Sequence, residues 1–175
     1  MHQREARKPT NSGRLAHLCL PNSEVRLRGE IGRVLSLDGL IQNERQTLIL
    51  YPSEESMELS NEYLLHIEKP ITLIVPDGTW TQGSRTARRI CQSLTIPHVK
   101  LPLGAPSNYR LRKEHDPQGM STFEAISRAL QIIEKNDIEK RMQPIFQTMV
   151  ERMLYSRGKI SAAEVFGGIP KSYTK

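Results

Sequence analysis

Two short apolar runs that each end at a proline constrain the fold of this chain most. The runs are residues 47–51, followed by Pro52, and residues 71–75, followed by Pro76. Each has the length of a strand, and neither alternates apolar with polar residues, which is typical of a strand covered on both faces. A helical pattern lies between or after them. The sequence therefore predicts an α/β fold with a mostly parallel sheet flanked by helices.

The remaining elements follow from weaker patterns. Alternation of apolar and polar residues makes 25–27 and 98–101 candidates for edge or outer strands. Apolar periodicity predicts helices over 11–18, 56–66, 81–93, 122–135 and 138–155. Pro144 is expected to kink the last helix or to split off its first turn. Residues 102–120, rich in proline and glycine, are expected to form a long functional loop.

The length of 175 residues predicts a single domain, over 1–157, followed by a loosely packed tail over 158–175. No apolar run approaches the roughly 18 residues of a membrane span. Polar residues follow Met1 directly, and two cysteines cannot form a disulfide framework. We therefore expect a cytoplasmic protein without a membrane partner.

The positive charges are concentrated in one segment. Residues 78–113 contain no acidic residue and seven basic ones, whereas 54–68 contain five glutamates. A solvated helix face is the alternative, but such a face usually mixes both signs, so the segment favours contact with a polyanion such as nucleic acid. The low aromatic content of 5% argues against a sheet that stacks single-stranded bases.

The best candidate for a site lies where the second apolar run ends. Asp77 follows that run directly, and Trp80 comes just before a basic helix. Ligands of open parallel sheets bind beyond the carboxyl ends of the strands. As an alternative, Asp77 and Thr79 or Thr81 only cap the helix, which leaves Trp80 unexplained. His115 and the two cysteines are interpreted as a solvated turn and as buried apolar residues, respectively.

Several ordered motifs resemble those of one family, the DTW-domain proteins, which include the tRNA-uridine aminocarboxypropyltransferases. Residues 77–80 (Asp-Gly-Thr-Trp) match its D-x-T-W signature. Glu5 and 10–15 resemble its acidic residue and T-N-T-G-R-L segment, with Ser12 in place of threonine. Residues 51–53, 109–112 and 121–125 resemble its Y-P-S, Y-x-L-R and S-T-x-E-A segments. The resemblance covers about residues 2–135.

This resemblance implies an activity and a fold. The activity is transfer of the 3-amino-3-carboxypropyl group of S-adenosylmethionine to N3 of a uridine in tRNA, without a metal. The fold is SPOUT-like, as in a group of enzymes whose parallel sheet is threaded into a knot. Two alternatives stay open: a non-catalytic RNA-binding domain, and a SPOUT-like RNA methyltransferase that uses the same cofactor.

The resemblance also implies roles for individual residues. Asp77 is the candidate base, because N3 loses a proton when it attacks carbon. Arg14, or helix N–H groups near Ser121 and Thr122, would hold the donor's carboxylate. Glu124 has an alternative role in a capping box with Ser121, and Trp80 either stacks on a base or belongs to the core. The cofactor-binding candidates are Asn11, Gly13, Arg14, Pro52, Ser53, Thr79, Trp80, Leu111, Ser121, Thr122 and Glu124. The tRNA-binding candidates are Arg85, Arg88, Arg89, Arg110, Arg112 and Lys113.

The amino-terminal region departs from the family pattern. Many relatives carry a zinc-like cysteine cluster and a first strand ahead of the motif that contains Glu5, whereas Met1 lies almost on that motif here. We expect no structural zinc, and a first strand that is cut short or absent. An exposed strand edge would then favour a homodimer or low stability.

Overall fold

A four-stranded sheet forms the centre of the protein, which a computed structural model describes over residues 1–29, 32, 35–111 and 119–173. The strands are β1 (Gln46–Leu50), β2 (Met57–Glu58), β3 (Ile71–Ile74) and β4 (His98–Lys100). Their order is β2-β4-β1-β3, and every pairing is parallel. The predicted parallel α/β architecture is therefore confirmed.

Helices cover both faces of this sheet. They are α1 (Gln3–Ala6), α2 (Ser12–Cys19), α3 (Asn61–Leu64), α4 (Trp80–Ser93), α5 (Thr122–Glu134) and α6 (Ile138–Ser156), with 3₁₀ turns at Ala162–Glu164 and Lys171–Tyr173. Leu48 and Leu50 pack toward Ala129 of α5, while Ile49 packs toward Ala87 and Ile90 of α4. The alternation of β1 side chains thus joins two helical layers.

A second apolar cluster joins α2, α5 and α6. Phe123 and Phe146 are fully buried and stacked, with ring centroids 4.9 Å apart. Tyr109 stacks on Phe146 at 5.8 Å, and its hydroxyl donates to the Thr10 carbonyl. This cluster fixes the starts of α2 and α5 next to each other, which matters for the site below.

Four local predictions differ from the structure. The helix predicted over 56–66 is divided, because Met57 and Glu58 pair with β4 as β2 and the Ser60 side chain then caps the short α3. The 98–101 strand lies inside the sheet, between β1 and β2, rather than at its edge. Residues 25–27 form no strand, and Arg28 contributes one isolated bridge to His2. Pro144 leaves α6 continuous.

Both termini contact the domain. Residues 1–6 form the bridge at His2 and the short α1, not a strand. In the tail, Val165 is buried and the Phe166 N–H donates to Glu151 of α6. Within the described residues, no helix is long and apolar enough to cross a membrane.

Candidate functional site

Asp77 lies directly beyond the carboxyl end of β3 and connects two other sequence motifs. It is 7% exposed. The Asn11 side-chain amide donates to its Oδ2 at 3.0 Å, and the Thr122 hydroxyl donates to its Oδ1 at 2.6 Å. Asn11 also caps α2, since its Oδ1 accepts from the Arg14 N–H at 2.6 Å. The carboxylate is therefore held between the starts of α2 and α5.

Gly13 makes this close approach possible. A Cβ atom at that position would lie 2.9 Å from Asp77 Oδ1 and 3.3 Å from Oδ2. Such distances are shorter than real Cβ contacts, so any larger residue would displace the carboxylate. Asn11 thus donates a hydrogen bond to the Asp77 carboxylate, and the missing side chain of Gly13 leaves room for that carboxylate.

The turn after Asp77 is also closely built. Gly78 has a φ of 148°, and a Cβ there would lie 2.6 Å from Gln82 Oε1. That oxygen accepts from the Thr79 N–H, while the Thr79 side chain accepts from the Gln82 N–H. Thr79, and not Asp77, is therefore the N-cap of α4. The alternative interpretation, that Asp77 only caps this helix, is therefore wrong.

A cavity of about 400 Å³ opens at the carboxyl ends of β1, β3 and β4. This is the edge at which parallel sheets bind ligands, and the volume lies in the range of small-molecule sites. The described lining residues that carry charge are Lys100 and Arg128, both cationic. The lining consists of 50–52, 100–107, Val75, Pro76, Gly78, Thr79, Gly83, Met120, Thr122, Ala125 and Arg128.

A larger groove of about 860 Å³ includes Asp77 in its lining. It runs along β3 and past Gly13, Arg28 and Thr86. Thr122 lines both the groove and the cavity. Burial lowers the pKa of Arg28, neighbouring Arg89 lowers it further, and Asp77 raises it. Asp77 therefore lies in the groove beside Thr122, which borders both openings, and both openings carry cationic side chains.

The predicted cofactor residues fall into three groups. Pro52, Thr79 and Thr122 line the cavity. Asn11 and Gly13 contact Asp77 instead, while Arg14 is exposed. Ser53 bonds Ser56, Leu111 packs on the Phe146 cluster, and Ser121 caps α5. The Trp80 side chain lies outside what the structure describes.

Glu124 is 2% exposed, and internal donors occupy its carboxylate. Oε1 accepts from the Asn108 N–H at 2.7 Å. Oε2 accepts from the Ser107 hydroxyl and from the N–H and hydroxyl of Ser121, at 2.6–3.0 Å. The capping box is present, and the same carboxylate ties the loop after β4 to α5.

The predicted RNA-binding arginines are only partly brought together. Arg85, Arg88 and Arg89 are exposed on α4, opposite buried Thr86, Ala87 and Ile90. Arg110 pairs with Glu151 at 3.1 Å and stays more than half exposed. Arg112 and Lys113 lie outside the described residues.

Sequence reasoning predicted a functional loop over 102–120 but did not assign 100–107 to the cavity, and it missed Arg128 of α5. A signal for Arg128 does exist, because Thr122, Ala125 and Arg128 follow each other at three-residue spacing on one helix face.

The fold and site define a parallel α/β protein with a buried carboxylate beside a cavity at the strand ends. A family model described as the DTW domain matches residues 1–154. The chain therefore belongs to the DTW-domain family.

Three curated relatives are similar to this chain. A protein named tRNA-uridine aminocarboxypropyltransferase 2 from Macaca fascicularis is 30% identical over 141 residues, 78% of this chain and 47% of the relative. Proteins of the same name from Mus musculus and Drosophila melanogaster are 29% and 33% identical, over 141 and 94 residues. They cover 78% and 54% of this chain, and 47% and 37% of their own lengths. The chain thus spans less than half the length of these relatives, and no solved structure matches it.

Proposed function

We propose that this protein is an RNA-modifying enzyme that transfers the 3-amino-3-carboxypropyl group of S-adenosylmethionine to N3 of a tRNA uridine. The observation that carries the proposal is the position of Asp77, which lines the groove and is held by Asn11 and by Thr122, a residue that borders both the groove and the cavity. The names of the relatives support the same reaction class.

The cavity suits the donor on physical grounds. Its size fits a small molecule, and its charged lining, Lys100 and Arg128, complements a carboxylate. Pro52, Thr79 and Thr122 are the predicted contacts that border it. When bound, the donor supplies a sulfonium that makes the attached carbon of the aminocarboxypropyl group electrophilic and whose sulfur leaves as a neutral thioether.

Asp77 acts as the base in this proposal. The new N–C bond forms as the C–S bond breaks, and the N3 proton passes to the carboxylate. Each Asp77 oxygen accepts a hydrogen bond from one side chain, Asn11 or Thr122, so further acceptor capacity remains for N3–H. The uridine would approach through the groove, while the donor lies on the cavity side.

The tRNA would bind along α4. Arg85, Arg88 and Arg89 are exposed on one face, and Arg28 lines the neighbouring groove. Phosphate contacts of this kind make affinity fall steeply with salt. Replacing the three α4 arginines with Gln should flatten the salt dependence of tRNA binding. The control is the double variant Lys140→Gln and Arg141→Gln, two exposed residues of α6, which should leave the salt dependence unchanged.

The finer fold assignment, a SPOUT-like fold with a knotted backbone, is part of the same proposal. The all-parallel sheet with its cavity at the carboxyl edge supports it. An experimentally determined structure with a traced backbone would test it.

Mass spectrometry of nucleosides tests the reaction directly. Purified protein, unmodified tRNA and S-adenosylmethionine are incubated, and the tRNA is digested. An added aminocarboxypropyl mass supports the proposal. An added methyl mass would identify a methyltransferase, and tRNA binding without added mass would identify a non-catalytic RNA-binding domain.

A further inference from the structure

One of the two cations in the described cavity lining is largely buried and held in place by other parts of the protein. Arg128 projects from α5 into the lining, and its side chain is 15% exposed. One N–H group, on Nη1, donates to the Ala105 carbonyl at 2.8 Å, and Nε donates to Glu139 at 3.2 Å. A guanidinium has five N–H donors, so these two bonds leave donors for a ligand.

The surroundings of Arg128 restrict what that ligand can be. Among the described lining residues no carboxylate competes for the guanidinium inside the cavity. Thr122 and Ala125, from the first turn of the same helix, line the same space. Helix N-termini favour anions, so the amino-terminal end of α5 and the Arg128 side chain both favour a negatively charged ligand. Arg14, predicted for this role, is exposed and does not line the cavity.

We infer that Arg128 binds the carboxylate of the donor's amino acid end. This inference rests on the proposed function and adds a subsite to it. A planar guanidinium held on its other side by Ala105 and Glu139 can receive a carboxylate with paired N–H donors. Fixing that end would orient the aminocarboxypropyl carbon, rather than the methyl group, toward Asp77.

Binding measurements on two ligands and two proteins test this subsite. The ligands are S-adenosylmethionine and its decarboxylated form, which keeps the sulfonium, the adenosine and the amine. For the unchanged protein, calorimetry should give at least tenfold weaker binding of the decarboxylated ligand. For Arg128→Gln, the two ligands should bind within about threefold of each other.

The comparison separates binding from structure. If Arg128 only supports the loop through Ala105, Arg128→Gln weakens both ligands equally and the tenfold ratio persists, which overturns the inference. Lys100→Gln is the matched control for the other cavity cation and should retain the ratio. If it abolishes the ratio and Arg128→Gln does not, the carboxylate belongs to Lys100 instead.

A second variant keeps the test decisive where Arg128→Gln does not fold. Glu139→Gln releases Arg128 from its ion pair and does not alter the described lining. It should raise the preference for the carboxylate-bearing ligand severalfold, and an unchanged preference counts against the inference. Failure of the unchanged protein to bind S-adenosylmethionine would instead remove the proposed function itself, and the carboxylate subsite with it.

Discussion

Asp77 and Glu124 are two buried carboxylates at the same end of the sheet, with opposite surroundings. Asp77 receives two side-chain donors, from Asn11 and Thr122, and lines an open groove. Glu124 receives four donors, two of them backbone N–H groups, and lines neither opening. Both are less than 10% exposed, so burial alone does not distinguish them.

The donors show what each carboxylate can do. Backbone N–H groups can only donate, so Glu124 has to remain an acceptor for Asn108 and Ser121. The hydroxyl of Thr122 can reverse and accept, so the Asp77 cluster tolerates a change of hydrogen-bonding role. The difference assigns Glu124 to holding the loop and leaves Asp77 available for proton transfer.

The largest expected effect is that of Asp77→Asn. The amide oxygen can accept from Asn11, and its NH₂ group can donate to Thr122, so fold and donor affinity should change by no more than a few-fold. Proton acceptance is lost, and transfer should fall by about 10²–10⁴-fold. Single-turnover assays with tRNA, beside calorimetry of donor binding, check both parts. Normal turnover would show that Asp77 is not the base.

Gly13→Ala should produce a smaller loss at the same cluster. The new Cβ would lie 2.9 Å from Asp77 Oδ1, so the carboxylate has to move. Misplacement of a reacting group costs about ten- to hundredfold in rate. Alanine favours the helix by about 1 kcal/mol over glycine, so the melting temperature should not fall in proportion. A variant with full activity would refute the close approach.

Glu124→Gln should lower the stability of the protein more than its catalytic rate. Whichever way the amide is turned, its NH₂ group meets a backbone N–H, of Asn108 or of Ser121. An unsatisfied buried donor costs about 1–3 kcal/mol, or roughly 2–4 °C in melting temperature per kcal/mol. The KM for the donor should rise as the loop loosens, with kcat nearly unchanged. Exposed Glu62→Gln is the control, and equal melting temperatures would contradict the comparison.

The sequence identifies both Asp77 and Glu124 but not all of the partners of Glu124, because some of those partners depend on the order of the strands. Asp77 is found because it ends an apolar run, and Glu124 is found as a capping box three residues after Ser121. The donors from Asn108 and Ser107 come from a loop that no pattern relates to α5, since the contact depends on β4 lying inside the sheet. The same limit hides Arg128, whose role depends on that loop.

The two apolar runs show a similar limit. Residues 47–50 are buried, as their pattern predicts, whereas Ile71–Ile74 are only half-buried. Among the described strands, β1 has neighbours on both sides and β3 has one. The composition of an apolar run does not show how many neighbouring strands it will have in the sheet. The dimer predicted across the edge that a missing first strand would expose, and the absence of zinc, stay predictions, which sedimentation and elemental analysis would test.

The smallest effect is expected for a third carboxylate, Glu151, which lies far from the cavity lining. It accepts from the Phe166 N–H at 2.6 Å, from Gln147, and from Arg110. These partners lower its pKa, with the Phe166 N–H as the largest cause.

A carboxylate whose pKa is lowered by folding stabilises the protein at pH values above its unfolded pKa of about 4.3. This stabilisation is lost as the pH falls through the folded-state pKa. Glu151→Gln should therefore lower the melting temperature by a few degrees at pH 7, and the difference should shrink as the pH falls through the lowered pKa of Glu151. Donor binding should stay unchanged, because no Glu151 partner lines the cavity. A loss of donor affinity as large as that of Glu124→Gln would mean that the tail, and not the loop alone, shapes the site.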